Sequence, residues 1–529
     1  MPGLLHDLII QQAAQRPAAV AIVHRRQALC YEDLAAQMQA AAQGFCRLGL
    51  SRLERVAVYL PKRPETVIAL FSTSLAGGVF VPINPLLKAE QVGHILRDCN
   101  ARVLVTSRDR AALLEPVLSQ CHDLCFLILV DPVNHDLPHL HHIETLDWQS
   151  LGSVAYPPAP RNIDMDMAAI LYTSGSTGKP KGVVLSHRNM LTGAHSVAEY
   201  LGNHASDRLL AVLPLSFDAG LSQLTTAFVA GARAVLMDYL LARDVITTVA
   251  QEGITGLTGV PSLWVQLAQL PWPAAAQESL RYIANTGGHL PRAAVDALRQ
   301  ALPNTRPFLM YGLTEAFRST YLPPEEVDRR PDSIGKAIPN AEVMVVREDG
   351  SLCAPGEPGE LVHRGSLVAL GYWNNPEKTA QHFRPVPGQP PGLPLPEIAV
   401  WSGDTVRTDE DGFLYFIGRQ DDTIKTSGYR ISPTEVEEIL YASGLVAEAA
   451  ALGIPHPVLG QAVVAVVKPL REESFDVTAM LIHCKRHLPN FMVPLRIIPR
   501  TALPRNPNGK LDRRELVNEL QTLFQENSS

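Results

Sequence analysis

Short apolar runs of strand type recur along the chain, each set apart from the next by a stretch with helical spacing, and this alternation restricts the fold more than any other feature. Leu34 to Leu48 has a helical period, with Leu34, Met38, Ala41 and Phe45 on one face. Arg55 to Leu60 reads as a buried strand, Glu65 to Leu75 as helix, and Gly78 to Val81 and Ala101 to Thr106 as further strands. The pattern resumes at Ala168 to Tyr172, Arg208 to Leu213, Ala234 to Met237, Gly256 to Thr258 and Tyr282 to Thr286. Strands alternating with helices imply right-handed crossovers, and so an α/β fold with parallel-rich sheets.

The texture changes after about residue 335. Ala341 to Arg347, the Asp349-Gly350 turn and Gly359 to Arg364 read as a small antiparallel region. Residues 385–396 hold six prolines and two glycines and read as a surface loop. Near residue 420 a compact α+β tail begins, with a helix over Pro433 to Tyr441, a strand over Val463 to Val467 and a helix around Asp476 to His487. A chain of 529 residues is also too long for one hydrophobic core. The net charge of −7 offers no basic footprint for nucleic acid. No apolar run approaches the roughly 20 residues that span a bilayer. The N-terminal MPGLLHDLII lacks the basic start of a signal peptide. The seven cysteines are scattered, and Cys121 and Cys125 have no second pair to complete a zinc site. These features point to a cytoplasmic location with reduced thiols.

Four motifs carry chemistry. Thr173-Ser-Gly-Ser-Thr-Gly-Lys-Pro-Lys-Gly182 follows an apolar strand, and its backbone N–H groups and hydroxyls could ring an anion. On composition alone it could also be a solvated linker. It is not a Walker A loop, because two residues separate Gly175 from Gly178 and Pro180 follows Lys179. Tyr311-Gly-Leu-Thr-Glu315 offers an aromatic for a base, a hydroxyl for phosphate and a carboxylate for Mg²⁺, though five such residues could close any strand. Ser402-Gly-Asp404 reads as a strand-end carboxylate suited to a ribose diol, or as a turn aspartate. Gly418-Arg-Gln-Asp-Asp-Thr-Ile-Lys-Thr-Ser-Gly428 follows it. Asn506-Pro-Asn-Gly-Lys510 is a turn presenting one lysine, which alone reads as exposed and structural.

In this order and at these separations the motifs resemble the signature set of the adenylate-forming superfamily, which holds acyl-CoA synthetases, adenylation domains of nonribosomal peptide synthesis and luciferases. The stretches LPLSFDAGLSQLTTAF, YGLTEAFRSTYLPPEEVDRRPDSIGKAIPNAE and IKTSGYRISPTEVEEILYASGLVAEA are similar to the AMP-forming acyl-CoA ligases of exosortase A-associated gene clusters. The resemblance implies a large N-terminal domain, residues 1–420, and a small mobile C-terminal lid, residues 421–529, hinged at Asp421. It implies ATP and Mg²⁺. Thr173, Ser174, Gly175, Ser176, Thr177, Gly178 and Lys181 would form the phosphate loop. Gly288, His289 and Leu290 would lie along the adenine and Tyr311 would stack on it. Thr314 would meet the α-phosphate, Glu315 the Mg²⁺, and Asp404 the ribose with Arg419 nearby. Lys510 would serve adenylation and Lys425 the second half-reaction.

The acid is less constrained. Phe217-Asp218 resembles the Phe-Asp pair of amino-acid-activating domains, where the aspartate binds the substrate ammonium. Asp218 could equally cap a helix beginning at Ala219. The acceptor would be the phosphopantetheine thiol of coenzyme A or of a separate acyl carrier protein. The 19 residues after Lys510 are too few for a carrier domain, so a carrier is expected to act in trans. A P-loop kinase is disfavoured by the loop spacing. A luciferase-like oxygenase shares the fold, and a dead binding protein is disfavoured by the retained motifs.

Overall fold

The structure is a computed structural model and describes residues 3–131, 142–152, 162–173, 180–419, 424–426, 429–456, 459–490, 492–506 and 509–524. Three sheets organise them. The first has 14 strands. Its parallel half runs Val20–His24, Arg233–Leu236, Arg208–Ala211, Gly256–Gly259, Tyr282–Asn285 and Arg306–Tyr311. It turns antiparallel through Thr320–Leu322, Ser333–Ala337, Leu414–Arg419, Ile398–Thr408, Gly359–Gly365 and Ala341–Val346. The second sheet has eight strands, parallel from Glu144–Asp147 to Met167–Thr173. Lys181–Ser186 and Gly371–Tyr372 then extend it antiparallel.

Helices lie between these two sheets. Tyr31–Arg47, Pro64–Leu75, His187–Tyr200 and Asp218–Ala230 place Phe45, Phe71, Met190 and Phe228 in one cluster with Val56 and Val58 of one sheet and Ala211 and Phe308 of the other. Burying each such side chain contributes about 1.5–3 kcal/mol, which holds the sheets at a fixed separation. Local signals set the helix starts. Ser186 accepts from Asn189 N at 3.1 Å while the Asn189 side chain accepts from Ser186 N at 2.8 Å.

The third sheet has five strands, all after residue 423, with Gly460–Pro469 at its centre. Strand alternation sends Val463, Ala465 and Val467 to one face, against Val436, Leu440 and Met480. Val464 and Val466 face the other way, against Leu452, Leu516 and Leu520. This is the smaller C-terminal domain. Its long strand Val446–His456 and the strand Lys181–Ser186 have no counterpart among the expected elements. Among the described residues no helix is long and apolar enough to cross a membrane.

Candidate active site

The carboxyl ends of the parallel strands open into one cleft of about 1730 Å³, closed from the opposite side by the C-terminal domain. Ligands of open α/β sheets bind at such ends. Thr173, Lys181, Phe217, Gly288, His289, Tyr311, Thr314, Glu315, Asp404 and Lys510 all line it. The segment Ser174 to Gly178 and Asp421, the expected hinge, lie outside the described residues, as do the side chains of Arg419 and Lys425. Leu290 turns its side chain into the apolar core with Val295 and Leu298 rather than into the cleft.

Lys181 and Glu315 meet across the two sheets. Lys181 Nζ lies 2.9 Å from Glu315 Oε1 and 2.9 Å from the Tyr372 hydroxyl, and that hydroxyl donates to Glu315 Oε1 at 2.6 Å. The ammonium also sits 4.2 Å from the Tyr372 ring centre. Burial alone would raise the Glu315 carboxyl. The Lys181 charge and the hydrogen bonds from Tyr372 and Lys181 overcome it and hold the group at about 2. Glu315 is therefore an anion fixed in place, and a hard oxygen donor of this kind fits Mg²⁺.

Asp218 is the first residue of the helix Asp218–Ala230, and Phe217 is its N-cap, without a side-chain cap bond. The reading of Asp218 as the cap of a helix beginning at Ala219 is thus corrected: the helix starts one residue earlier. The buried Asp218 carboxylate instead accepts from Thr314 Oγ1 at 3.2 Å. Burial raises its pKa, and the Arg318 and Lys510 charges with the Thr314 bond offset this only in part. Lys510 Nζ lies 5.3 Å from the Phe217 ring centre. It is not the exposed structural lysine that its turn alone suggests. Asn506 Oδ1 accepts from Lys510 N at 3.0 Å, Asn506 N donates to Lys510 O at 2.8 Å, and Gly509 takes φ +78°. Gly287, at φ +80°, makes room for the lysine stem, since a Cβ there would stand 3.3 Å from Lys510 Cε.

Asp404 lies within the strand Ile398–Thr408, opposite Arg419 in register, so it is neither a turn aspartate nor a strand-end residue. Tyr311 OH donates to its carboxylate, which joins the second and third motifs. His289 bonds Glu438, from the helix Pro433–Ala442 of the C-terminal domain, and so links the two domains across the cleft. Burial disfavours the charged ring, but the Glu438 hydrogen bond and charge outweigh it and raise the His289 pKa. Sequence reasoning missed Tyr372, Gly287, Arg318 and Glu438. Arg318 and Glu438 lie within the stretches that carry the resemblance but were given no role, and Tyr372 reaches Glu315 only through the pairing of Gly371–Tyr372 with Lys181–Ser186.

The chain belongs to the AMP-binding enzyme family, which matches residues 9–373, and the AMP-binding enzyme C-terminal domain matches residues 435–510. This bears out the resemblance carried by the four motifs. The chain is 31% identical to an L-proline–[L-prolyl-carrier protein] ligase of Pseudomonas fluorescens, covering 98% of this chain and 99% of that one. It is 29% identical to a long-chain-fatty-acid–CoA ligase of Salmonella typhimurium, over 89% of this chain and 86% of that one. It is 30% identical to tyrocidine synthase 3 of Brevibacillus parabrevis over 97% of its own length, yet spans 8% of that protein. The o-succinylbenzoate coenzyme A synthetase of Bacillus subtilis, solved with ATP and magnesium ion, superposes with a TM-score of 0.80 at 26% identity, over 96% of this chain and 98% of that one.

Proposed function

We propose that this chain is an ATP-dependent, AMP-forming ligase that converts a small carboxylic acid to an acyl-adenylate and then to a thioester of phosphopantetheine. The observation that carries the reading is the convergence of Lys510, Thr314, Glu315 and the Tyr311–Asp404 pair on one cleft between the two domains. The acid's carboxylate attacks the α-phosphate of ATP and pyrophosphate leaves. Negative charge grows on the phosphoryl oxygens, where Lys510 and Thr314 stabilise it. Glu315 would hold Mg²⁺, which when bound neutralises phosphate charge. Tyr311 and Asp404 take the adenosine, and the segment Thr173 to Gly178 with Lys181 the phosphates.

For the second half-reaction the domain boundary falls near residue 420 and the lid turns about Asp421, withdrawing Lys510. The face carrying Gly428 and Lys425 then turns inward. The thiol attacks the acyl carbonyl and AMP departs. The acceptor is coenzyme A or the arm of a separate acyl carrier protein, and the enzyme is cytoplasmic.

A second reading makes the acid an amino acid loaded on a carrier protein. It is favoured by Asp218, whose buried carboxylate lies beside Thr314 and caps no helix. The end-to-end match to a prolyl-carrier ligase supports it. The test supplies ATP, Mg²⁺ and single acids without thiol, with hydroxylamine to trap the adenylate. Pyrophosphate and hydroxamate should form with one class of acid. Release with amino acids alone supports Asp218 as an ammonium site, and release with fatty or aryl acids alone removes that role. Neither product from any acid refutes the ligase reading.

A further inference from the structure

A second buried charge lies close to Asp218. Arg318 is 2% exposed, its Nη1 donates to Thr286 Oγ1, and its Nε has no partner among the described residues. It lines a small pocket of about 20 Å³ together with Ala219, Ser222 and Thr226, and the Thr226 hydroxyl also has no partner among the described residues. These three residues recur at helical spacing down the face of Asp218–Ala230 that begins beside Asp218. Ser222 is one turn below the aspartate, about 6 Å along the axis. Asp218 itself is buried and lines neither the cleft nor this pocket. Met310 lines both the cleft and the pocket, and its Sδ accepts from the Tyr200 hydroxyl at 2.9 Å. An unbranched thioether with three rotatable bonds can fold aside to join the two.

The backbone holds Arg318 there under strain. Phe317 has φ +57° and ψ −56°, and Arg318 N donates to Ala316 O at 2.6 Å, forming a tight three-residue turn. A bulky residue in that region is strained, and such strain gathers where a side chain must be aimed. The Phe317 ring fits only because residue 193 is glycine, where a Cβ would stand 2.3 Å from the ring.

Asp218 and Arg318 are opposite charges that attract each other without a direct hydrogen bond between them. An interior that keeps two separated charges favours a ligand bearing the complementary two. We propose that the acid is an α-amino dicarboxylic acid, with its ammonium on Asp218 and its side-chain carboxylate on Arg318 past Met310. This rests on the ligase reading and on its amino-acid form. An amino acid with an apolar side chain would leave Arg318 unmatched, and a plain fatty acid would leave both charges so.

The test measures kcat/KM for adenylation with aspartate, glutamate, 2-aminoadipate, leucine, glutarate and octanoate, in the wild type, Arg318→Met and Arg318→Lys. An amino dicarboxylic acid should be the best wild-type substrate. Arg318→Met should cut its advantage over leucine by roughly 10²-fold, the worth of a charged hydrogen-bond pair, and Arg318→Lys should restore part of it. Wild-type turnover of leucine, glutarate or octanoate at or above the amino dicarboxylic acids overturns this inference alone. So does an unchanged ratio in Arg318→Met. Absence of pyrophosphate release with every acid overturns the ligase reading beneath it. The wild-type panel decides the matter even where Arg318→Met fails to fold.

Discussion

Replacing Glu315 by glutamine tests the electrostatics of the site without removing its shape. Glutamine keeps an acceptor for Tyr372 and Lys181 but cannot titrate. The Glu315 carboxyl is held at about 2 against an ordinary value of 4.5. A depressed folded-state pKa contributes stability that is complete above the unfolded value and is lost as pH falls through the folded value. The difference corresponds to about 3 kcal/mol at pH 7, of which about 2 kcal/mol is gone by pH 3. All five tryptophans, Trp148, Trp264, Trp272, Trp373 and Trp401, precede residue 402, so their fluorescence reports the large domain alone. Urea unfolding followed by that signal should show the gap between wild type and Glu315→Gln narrowing by about 2 kcal/mol from pH 7 to pH 3. A gap that stays constant, or widens on acidification, refutes the account of the Lys181–Glu315–Tyr372 cluster.

Lys510→Ala should abolish adenylation while thioester formation from supplied acyl-adenylate survives; equal loss of both steps contradicts the two-position lid. The His289–Glu438 contact should weaken as pH rises through the raised His289 pKa, above 6.5, and be complete below it. Energy transfer between dyes on the two domains should therefore fall between pH 6 and pH 9 in the wild type and stay flat in Glu438→Gln. Gly193→Ala should destabilise the large domain by about 1–3 kcal/mol in the tryptophan assay, because its Cβ would meet the Phe317 ring at 2.3 Å.

Periodicity located most of the parallel framework. Ala101–Thr106 is a strand with the expected ends, and the helix expected over Leu34 to Leu48 is Tyr31–Arg47. A continuous apolar run bounded by turns is a strong signal for a strand buried on both faces. Val446–His456 was not legible in the same way: its alanines carry little β-propensity, and it becomes a strand by pairing with Gly460–Pro469. The motif residues were legible because each motif is local. Their partners were not: Tyr372 reaches Glu315 and Arg318 reaches Thr286 across sheet pairings and turns that no single stretch encodes. Asp218 shows the limit most clearly. Its residue type suited both a cap and a ligand site, and the start of its helix bears only on the cap.

The central claim is most directly tested by the nucleotide released when the purified protein turns over ATP with an accepted acid and a pantetheine thiol. AMP and pyrophosphate in equal amounts, one of each per thioester, are predicted. ADP and inorganic phosphate would contradict the account.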